Sequence, residues 1–277
     1  MRQRLMIVAN AIAVFAALLL IWQLILSVFH VPPYMLPSPF AVARVAIGRF
    51  SSLLASLIIT AEESAGGLIA SIVVGVLVAL VFAQFRWVRQ TLYPYTILLQ
   101  TVPIVAIAPL ILMWIGAGML AVAFIAFIIS LAPIIANTTQ GLISVEENLV
   151  HLFLMHNASP VQILFKLRLP HAVPALFVGI RIASGIAVIG AITGELYAGS
   201  SRVGVGGLGY SILYASSQLQ TDYLFALVAA ATVLGFAFLF EVTFFEWYFL
   251  RRWHESARTG NRVSRSTLGW RAKKCCA

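Results

Sequence analysis

Few residues in this sequence have the type and spacing needed for covalent or metal chemistry. Its five His are scattered, with no H-E-x-x-H pair, and His151 and His156 read as helix-end residues rather than metal ligands. No Ser, His and Asp grouping suggests a hydrolase, and no nucleophile converges with a base as an intramembrane enzyme would require. Gly204-Val-Gly-Gly-Leu-Gly209 matches G-x-G-x-x-G, yet it follows an apolar helix rather than a strand of a βαβ unit, which removes dinucleotide binding. No G-x-x-x-x-G-K-[ST] occurs, so this chain is not itself an ATPase. Three features remain: a lone acid, Glu195, near the end of an apolar run; a cation, Arg181, inside the same run; and a polar, doubly capped segment from Ser144 to Pro170. A carboxylate at a membrane boundary must face water, a partner or a cation, or else be protonated. Glu195 therefore either lines a solute route or serves as a structural partner for Arg202 or a solvated helix end.

These residues must be positioned by membrane helices. Hydrophobic residues make up 61% of the 277 and charged residues 10%, against roughly 25% charged in a soluble domain, so one aqueous core cannot hide the apolar surface. The 56 residues from Gln90 to Val145 carry no charge, enough for two crossings of about 20 residues and a tight turn, but not for three. Charge-free length places spans at about Leu5–Phe29, Ser64–Phe85 (with a start as early as Ser56), Leu92–Ile115, Met119–Gln140, Pro174–Leu196 and Tyr223–Phe245. The first is too long for a secretory signal and has no A-x-A-type cleavage site, so it reads as a retained anchor. The fold class is an all-α integral membrane protein with six transmembrane helices. Its organisation is an anchor over residues 1–30, an outer connecting segment 31–55, a core 56–250 with an inner loop 144–173, and a basic, disordered tail 251–277.

Net charge is +9, and the location of the basic residues decides what it means. They avoid the apolar runs, and eight of the 18 fall between Arg251 and Lys274, which suits orientation in a bilayer and not nucleic-acid binding. With the N-terminus inside, the cytoplasmic side receives 14 of them and the outer side only Arg44, Arg49 and Arg202. Both termini are therefore expected in the cytoplasm. Cys275 and Cys276 would then meet a reducing compartment and stay unbridged; a lipidated tail or a metal pair is the alternative. Glu62 and Glu63 precede the second span and read as a solvated interfacial face.

The segment between the fourth and fifth spans carries two helix-start signals. Ser144-Val-Glu-Glu147 fits a capping box, and the helix it opens has room for about three turns before Asn157, which tolerates the left-handed conformation that ends helices. Ser159, Pro160 and Gln162 form a second box, with Lys166 and Arg168 near that helix's negative end and Leu169-Pro170 as its stop. A short helical hairpin on the inner face follows. In the third span, Pro103 and Pro109 free carbonyls near Leu99 and Val105, which face protein or a wet cavity, or merely bend the helix. Gly190-Ala-Ile-Thr-Gly194 is a small-x-x-x-small pattern for close helix packing. The stretch Gly199 to Asp222 reads as a flexible outer surface or a connector. A secondary transporter is the rival class; it would show paired broken helices and buried titratable residues, and neither internal repeats nor many acids are evident.

Asn157-Ala-Ser-Pro…Lys166-Leu-Arg-Leu-Pro170-His-Ala-Val-Pro174-Ala-Leu-Phe-Val-Gly179-Ile-Arg181 resembles the cytoplasmic signature loop of permease subunits of binding-protein-dependent ATP-binding-cassette importers. That signature reads E-A-A, three residues, G-A-S, then L-P-x-A-x-P and G-x-R. Leu36-Pro-Ser-Pro39, Val102-Pro-Ile-Val-Ala-Ile-Ala-Pro-Leu110 with Trp114 and Gly116, and Gly194-Glu195-Leu-Tyr-Ala-Gly199…Gly207-Leu-Gly-Tyr210 agree with it, over roughly residues 30–253. Two positions depart: His151-Leu152-Phe153 replaces Glu-Ala-Ala, which removes the acid of a salt bridge made there in the family, and Asn157 replaces Gly.

The resemblance implies a type I importer permease in a bacterial inner membrane, working as a pair. Its implied partners are two ATPase subunits inside, which carry ATP and Mg, and a solute-binding protein outside; the chain binds no cofactor or metal of its own. Phe153, His156, Asn157, Ala158, Ser159, Pro160, Leu169 and Pro170 would couple to the ATPase, and Pro103, Pro109, Trp114 and Glu195 would line the pathway. The branch is that of nitrate, sulfonate, taurine and thiamine-pyrimidine-precursor importers, with Ser216-Ser-Gln-Leu-Gln-Thr-Asp222-Tyr-Leu-Phe225 similar to the last of these.

Overall fold

The computed structural model describes residues 2–199 and 206–251. Among them the chain is a set of helices with no strand: α1 (Arg2–Phe29), α2 (Pro39–Gly48), α3 (Phe50–Gln84), α4 (Arg86–Thr101), α5 (Ile104–Ile115), α6 (Met119–Ile143), α7 (Glu147–Met155), α8 (Pro160–Ile163), a π-turn over Leu164–Arg168, α9 (Leu169–Ala198), α10 (Leu208–Ser217) and α11 (Thr221–Leu250). Four rods are long and apolar enough to cross a bilayer: α3 at 35 residues, α6 at 25, α8 through α9 at 39, and α11 at 30. The bent α4–α5 pair makes a fifth where its two halves are counted as one broken span. α1, at 28 residues, has the length of a further span.

α6 lies at the centre, held between α3 and α9, and the reason is small side chains on both partners. A Cβ on Gly67 of α3 would stand 2.6 Å from the Ala126 Cβ, and one on Gly190 of α9 would stand 3.0 Å from the Ala126 Cα. Ala126 is thus pinched between two glycines, as the Gly190–Gly194 spacing predicts, and backbones meet where lipid supplies no hydrophobic drive. Hydroxyls tie the same layer. Ser71 donates to the Phe127 carbonyl at 2.8 Å, and Ser130 to that of Ala183 at 3.3 Å; such interhelical bonds contribute about 0.6–2 kcal/mol each in a bilayer.

Several boundaries differ from the sequence expectations. The second span begins far earlier, at Phe50, because no breaker separates Ser56 from Ser64; Glu62 and Glu63 therefore sit inside α3. Glu62 is exposed, but Glu63 is fully buried and does not belong to a solvated face. The third span is broken: α4 and α5 meet at 100° across Val102 and Pro103. Pro103 lacks the N–H that would continue α4 and forces Val102 into an extended conformation (φ −70°, ψ 122°).

The segment 31–55 is largely helical. Ser38 caps α2 by accepting from the Ala41 N–H at 3.2 Å, with Pro39 at the first position, which accounts for the Leu36-Pro-Ser-Pro39 pattern. Part of the Gly199–Asp222 stretch is the helix α10, whose Leu208 and Ala215 are fully buried against α9 and α11. The tail from residue 252 onward, with Cys275 and Cys276, and Arg202 lie outside the described residues.

Candidate functional site

Two sites stand at opposite ends of the bundle. The first is the hairpin. Its expected entry cap is not made: the Ser144 hydroxyl donates back to the Gly141 carbonyl at 3.1 Å, Ser144 closes α6, and Glu146 is the residue before α7, with no side-chain cap. The competing local bond wins because α6 runs on unbroken to Ile143, leaving Ser144 within reach of the last orphan carbonyls.

The rest of the corner follows local chemistry. Asn157 adopts the left-handed conformation at φ 54°, and the Ala158 N–H donates to the Phe153 carbonyl at 3.1 Å. The Ser159 box closes in both directions: the Gln162 N–H donates to Ser159 Oγ at 3.3 Å, and the Ser159 N–H donates to Gln162 Oε1 at 2.9 Å. His156 reaches the Leu152 carbonyl through Nδ1 at 2.8 Å.

Leu169-Pro170 does not stop the second arm. The chain passes through the π-turn, in which the Leu169 N–H reaches back to the Leu164 carbonyl, and continues as α9. Widening the ladder at this point relieves the clash a proline ring makes with the carbonyl one turn earlier. The consequence is mechanical: from Pro160 to Ala198 the hairpin's second arm and the central helix α9 form one rod of 39 residues.

The base of the rod is anchored, since Leu164, Leu169 and Ala172 pack with Ala79, Ala83 and Leu142 of α3 and α6, and Arg168 Nη1 donates to the Ala83 carbonyl at 2.8 Å. The tip is different. Leu152, Leu154, Met155, Val161 and Phe165 stand 49%, 50%, 79%, 57% and 55% exposed, and α7 buries no residue. Of the expected coupling residues, His156, Asn157, Ser159 and Pro160 are exposed at this tip, Phe153 and Ala158 are half-buried beside it, and Leu169 and Pro170 belong to the anchored base.

At the other end, Glu195 is fully buried near the end of α9. Thr60 of α3 donates its hydroxyl to Glu195 Oε1 at 2.7 Å, the Gly209 N–H donates to Oε2 at 2.5 Å, and the Glu63 side chain is a further hydrogen-bond partner. The Leu208 N–H in turn donates to Thr60 Oγ1 at 2.8 Å. The first amides of α10, which have no partner within their own helix, are therefore satisfied by Glu195 and Thr60. This requires glycine: a Cβ on Gly207 would fall on the Glu195 carboxylate, and one on Gly209 would stand 2.9 Å from the Glu195 Cβ. Gly207 and Gly209 form a cradle for a carboxylate of the same chain.

Pro103, Pro109 and Trp114 stand exposed on α5 and take no part in this cluster; Trp114 is 73% exposed. Thr60, Glu63 and Glu246 are additional polar residues that spacing along the chain did not reveal. Glu246 of α11 forms an ion pair with Arg181, which gives the cation inside the run a protein partner. The acid follows Phe245, the residue at which apolar length ends the last span, and that was its available signal.

The family model of the binding-protein-dependent transport system inner membrane component matches residues 71–254. A probable ABC transporter permease protein of Haemophilus influenzae is 33% identical over 225 residues, covering 81% of this chain and 90% of that protein. The riboflavin transport system permease protein RibX of Chloroflexus aurantiacus is 32% identical, covering 78% and 80%, and the formylaminopyrimidine transport permease protein ThiX of Halalkalibacterium halodurans is 31% identical, covering 80% and 86%. Among solved structures, a chain of the inward-facing MetNI methionine ABC transporter superposes with a TM-score of 0.53 at 18% identity, covering 76% of this chain and 97% of that one, a likeness of fold. The matched family model and these relatives show that the chain belongs to the family of binding-protein-dependent transport system inner membrane components, the permease subunits of ABC importers.

Proposed function

We propose that this chain, as one of a pair, forms the membrane pathway of an ATP-driven importer for a small solute and that its hairpin docks in a groove of a separate ATPase subunit, with two copies of each in the complex. A solute-binding protein delivers the solute from the outer side, and both termini of the chain face the cytoplasm of a bacterial cell. The relatives bear names of riboflavin, formylaminopyrimidine, aliphatic sulfonate and taurine transport, and the solute proposed here is of that size: a sulfonate, taurine or a pyrimidine precursor of thiamine.

The observation that carries this reading is the contrast within the hairpin. Its base is packed into the bundle, while its tip offers apolar side chains to a compartment in which they have no partner in this chain. A polar-side loop exposing Leu152, Leu154, Met155 and Val161 is a protein-binding patch. Because the π-turn joins the tip to α9 without a hinge residue, displacement of the tip moves the helix that packs on α6 and holds Glu195. Alternating access from 1:99 to 99:1 takes about 5.5 kcal/mol of differential binding, and a continuous helix with a packed base can transmit it. ATP and Mg act on the partner; this chain supplies the docking patch and the lever.

The test is crosslinking in the assembled complex. Met155→Cys or Val161→Cys should be captured by a cysteine placed in the ATPase groove, with the yield changing between nucleotide-free and nucleotide-bound states. Failure to capture the ATPase from either position, with the complex co-purifying, would remove the docking assignment.

A further inference from the structure

At the end opposite the hairpin, a cleft of about 780 Å³ opens between the start of α3 and the face of α10, within the size range of small-molecule sites. Its lining is polar and aromatic, with Arg49, Ser51, Ser56, Tyr210, Ser211 and Tyr214 the residues that matter. Three features give it the character of a site. The cation is held in place: Arg49 Nη1 donates to Gln220 Oε1 at 2.6 Å, and its guanidinium lies 4.9 Å from the centroid of the Tyr223 ring. Arginine has five N–H donors, so this arrangement fixes the group while leaving donors for a ligand. The floor is built from the Ser56 and Ser211 hydroxyls, 2.9 Å apart, with Ser56 only 4% exposed. One wall is the stacked pair Tyr210 and Tyr214, whose ring centroids are 6.3 Å apart with planes inclined at 21°.

No acidic side chain lines this cleft among the described residues; Asp222 lies on the far side of Arg49, in the neighbouring hollow. One fixed positive charge, several hydroxyls and two flat rings without a carboxylate select against cations and reward an oxyanion carried on a flat body.

We infer that this cleft is a binding site of the permease itself for a small organic anion, a carboxylate, sulfonate or phosphate monoester on a planar body, with Arg49 taking the charge and Tyr210 and Tyr214 the ring. The site is wired to the latch. The Thr60 hydroxyl that meets Glu195 also lies 3.1 Å from the Ser56 carbonyl, under the cleft floor, and the aromatic wall is the helix that Glu195 holds. An anion seated there loads the same element that the lever reaches from below. That last step rests on the importer reading; binding to the cleft does not.

The experiment uses the full chain in phosphatidylcholine nanodiscs, without ATPase or nucleotide, and equilibrium dialysis of three probes of one shape: benzenesulfonate, benzyl alcohol and benzylamine. Benzenesulfonate should bind saturably and the other two should not. Arg49→Gln should weaken it about tenfold or more, the scale of a charge-assisted hydrogen bond. Tyr214→Ala should weaken it severalfold, and Arg44→Gln, whose cation lies over Phe40 outside the cleft, should leave it unchanged. Each variant is checked for an unchanged elution volume and thermal midpoint. Equal binding of all three probes, or Arg49→Gln binding like the parent chain, would overturn the assignment. Displacement of benzenesulfonate when phosphatidylglycerol replaces phosphatidylcholine would also overturn it, in favour of a lipid headgroup site. Because no nucleotide is present, failure here leaves the hairpin crosslinking result standing, and the reverse.

Discussion

The hairpin and the Glu195 latch solve opposite problems with similar residue types. At the hairpin tip apolar side chains are exposed and the polar ones, Asn157, Ser159 and Gln162, shape the backbone. At the latch a carboxylate, a hydroxyl and two amides are buried, and each is bound to another. A surface that waits for a partner leaves its hydrophobic contacts unmade, whereas a buried joint must complete its polar contacts within the chain, since an unpaired polar group there has nowhere else to turn. On the proposed function, one end associates and the other holds.

This contrast can be broken most severely at the latch. Glu195→Ala leaves the buried Gly209 N–H without its acceptor, takes a partner from Glu63 and leaves the Thr60 hydroxyl only the Ser56 carbonyl, and should destabilise the chain by about 2–4 kcal/mol. The readouts are a lowered thermal midpoint in detergent and faster thiol labelling of a cysteine placed at Ser211; an unaltered midpoint and labelling rate would show that the carboxylate does not hold α10. Gly207→Ala should cost about 1–3 kcal/mol by pushing a methyl group onto the same carboxylate. Gly235→Ala, which meets nothing within 4 Å, should stay within about 0.5 kcal/mol of the parent, and equal effects of the two glycine changes would dissolve the cradle argument.

The hairpin should respond more mildly and in a different assay. Asn157→Val places a β-branched residue at φ 54° and should cost about 1–2 kcal/mol locally, lowering transport-coupled ATP hydrolysis while the bundle's melting is preserved. Asn157→Gly should restore hydrolysis, and if it fails as badly as Val the turn is not the reason. The smallest effect is expected from Ser159→Ala, about 1 kcal/mol of cap energy, read as a modest drop in crosslinking between Val161→Cys and the ATPase.

The two regions also differ in how far they could be read in advance. The Asn157 corner and the Ser159 box were evident because each depends on partners within five residues, and the small-residue spacing of Gly190 and Gly194 likewise announced a packed helix face. The Ser144 box shows the limit of such reasoning: two local bonds compete for one hydroxyl, and the continuation of α6 awards it to Gly141. Leu169-Pro170 looked like a helix end, and a π-turn absorbed it. Glu195 stood out as unusual, but its partners Thr60 and Glu63 lie on another span, with Thr60 at a separation of 135 residues.

Composition and charge placement established from the chain alone that this is an all-helical membrane protein, with a capped hairpin followed by an apolar rod, because bilayer length and the period of local caps are properties of neighbouring residues. The role of Glu195, the pairing of Arg181 with Glu246 and the lining of the cleft beside Arg49 come from the assembled bundle, since each joins helices far apart in the chain and depends on which glycines let those helices approach.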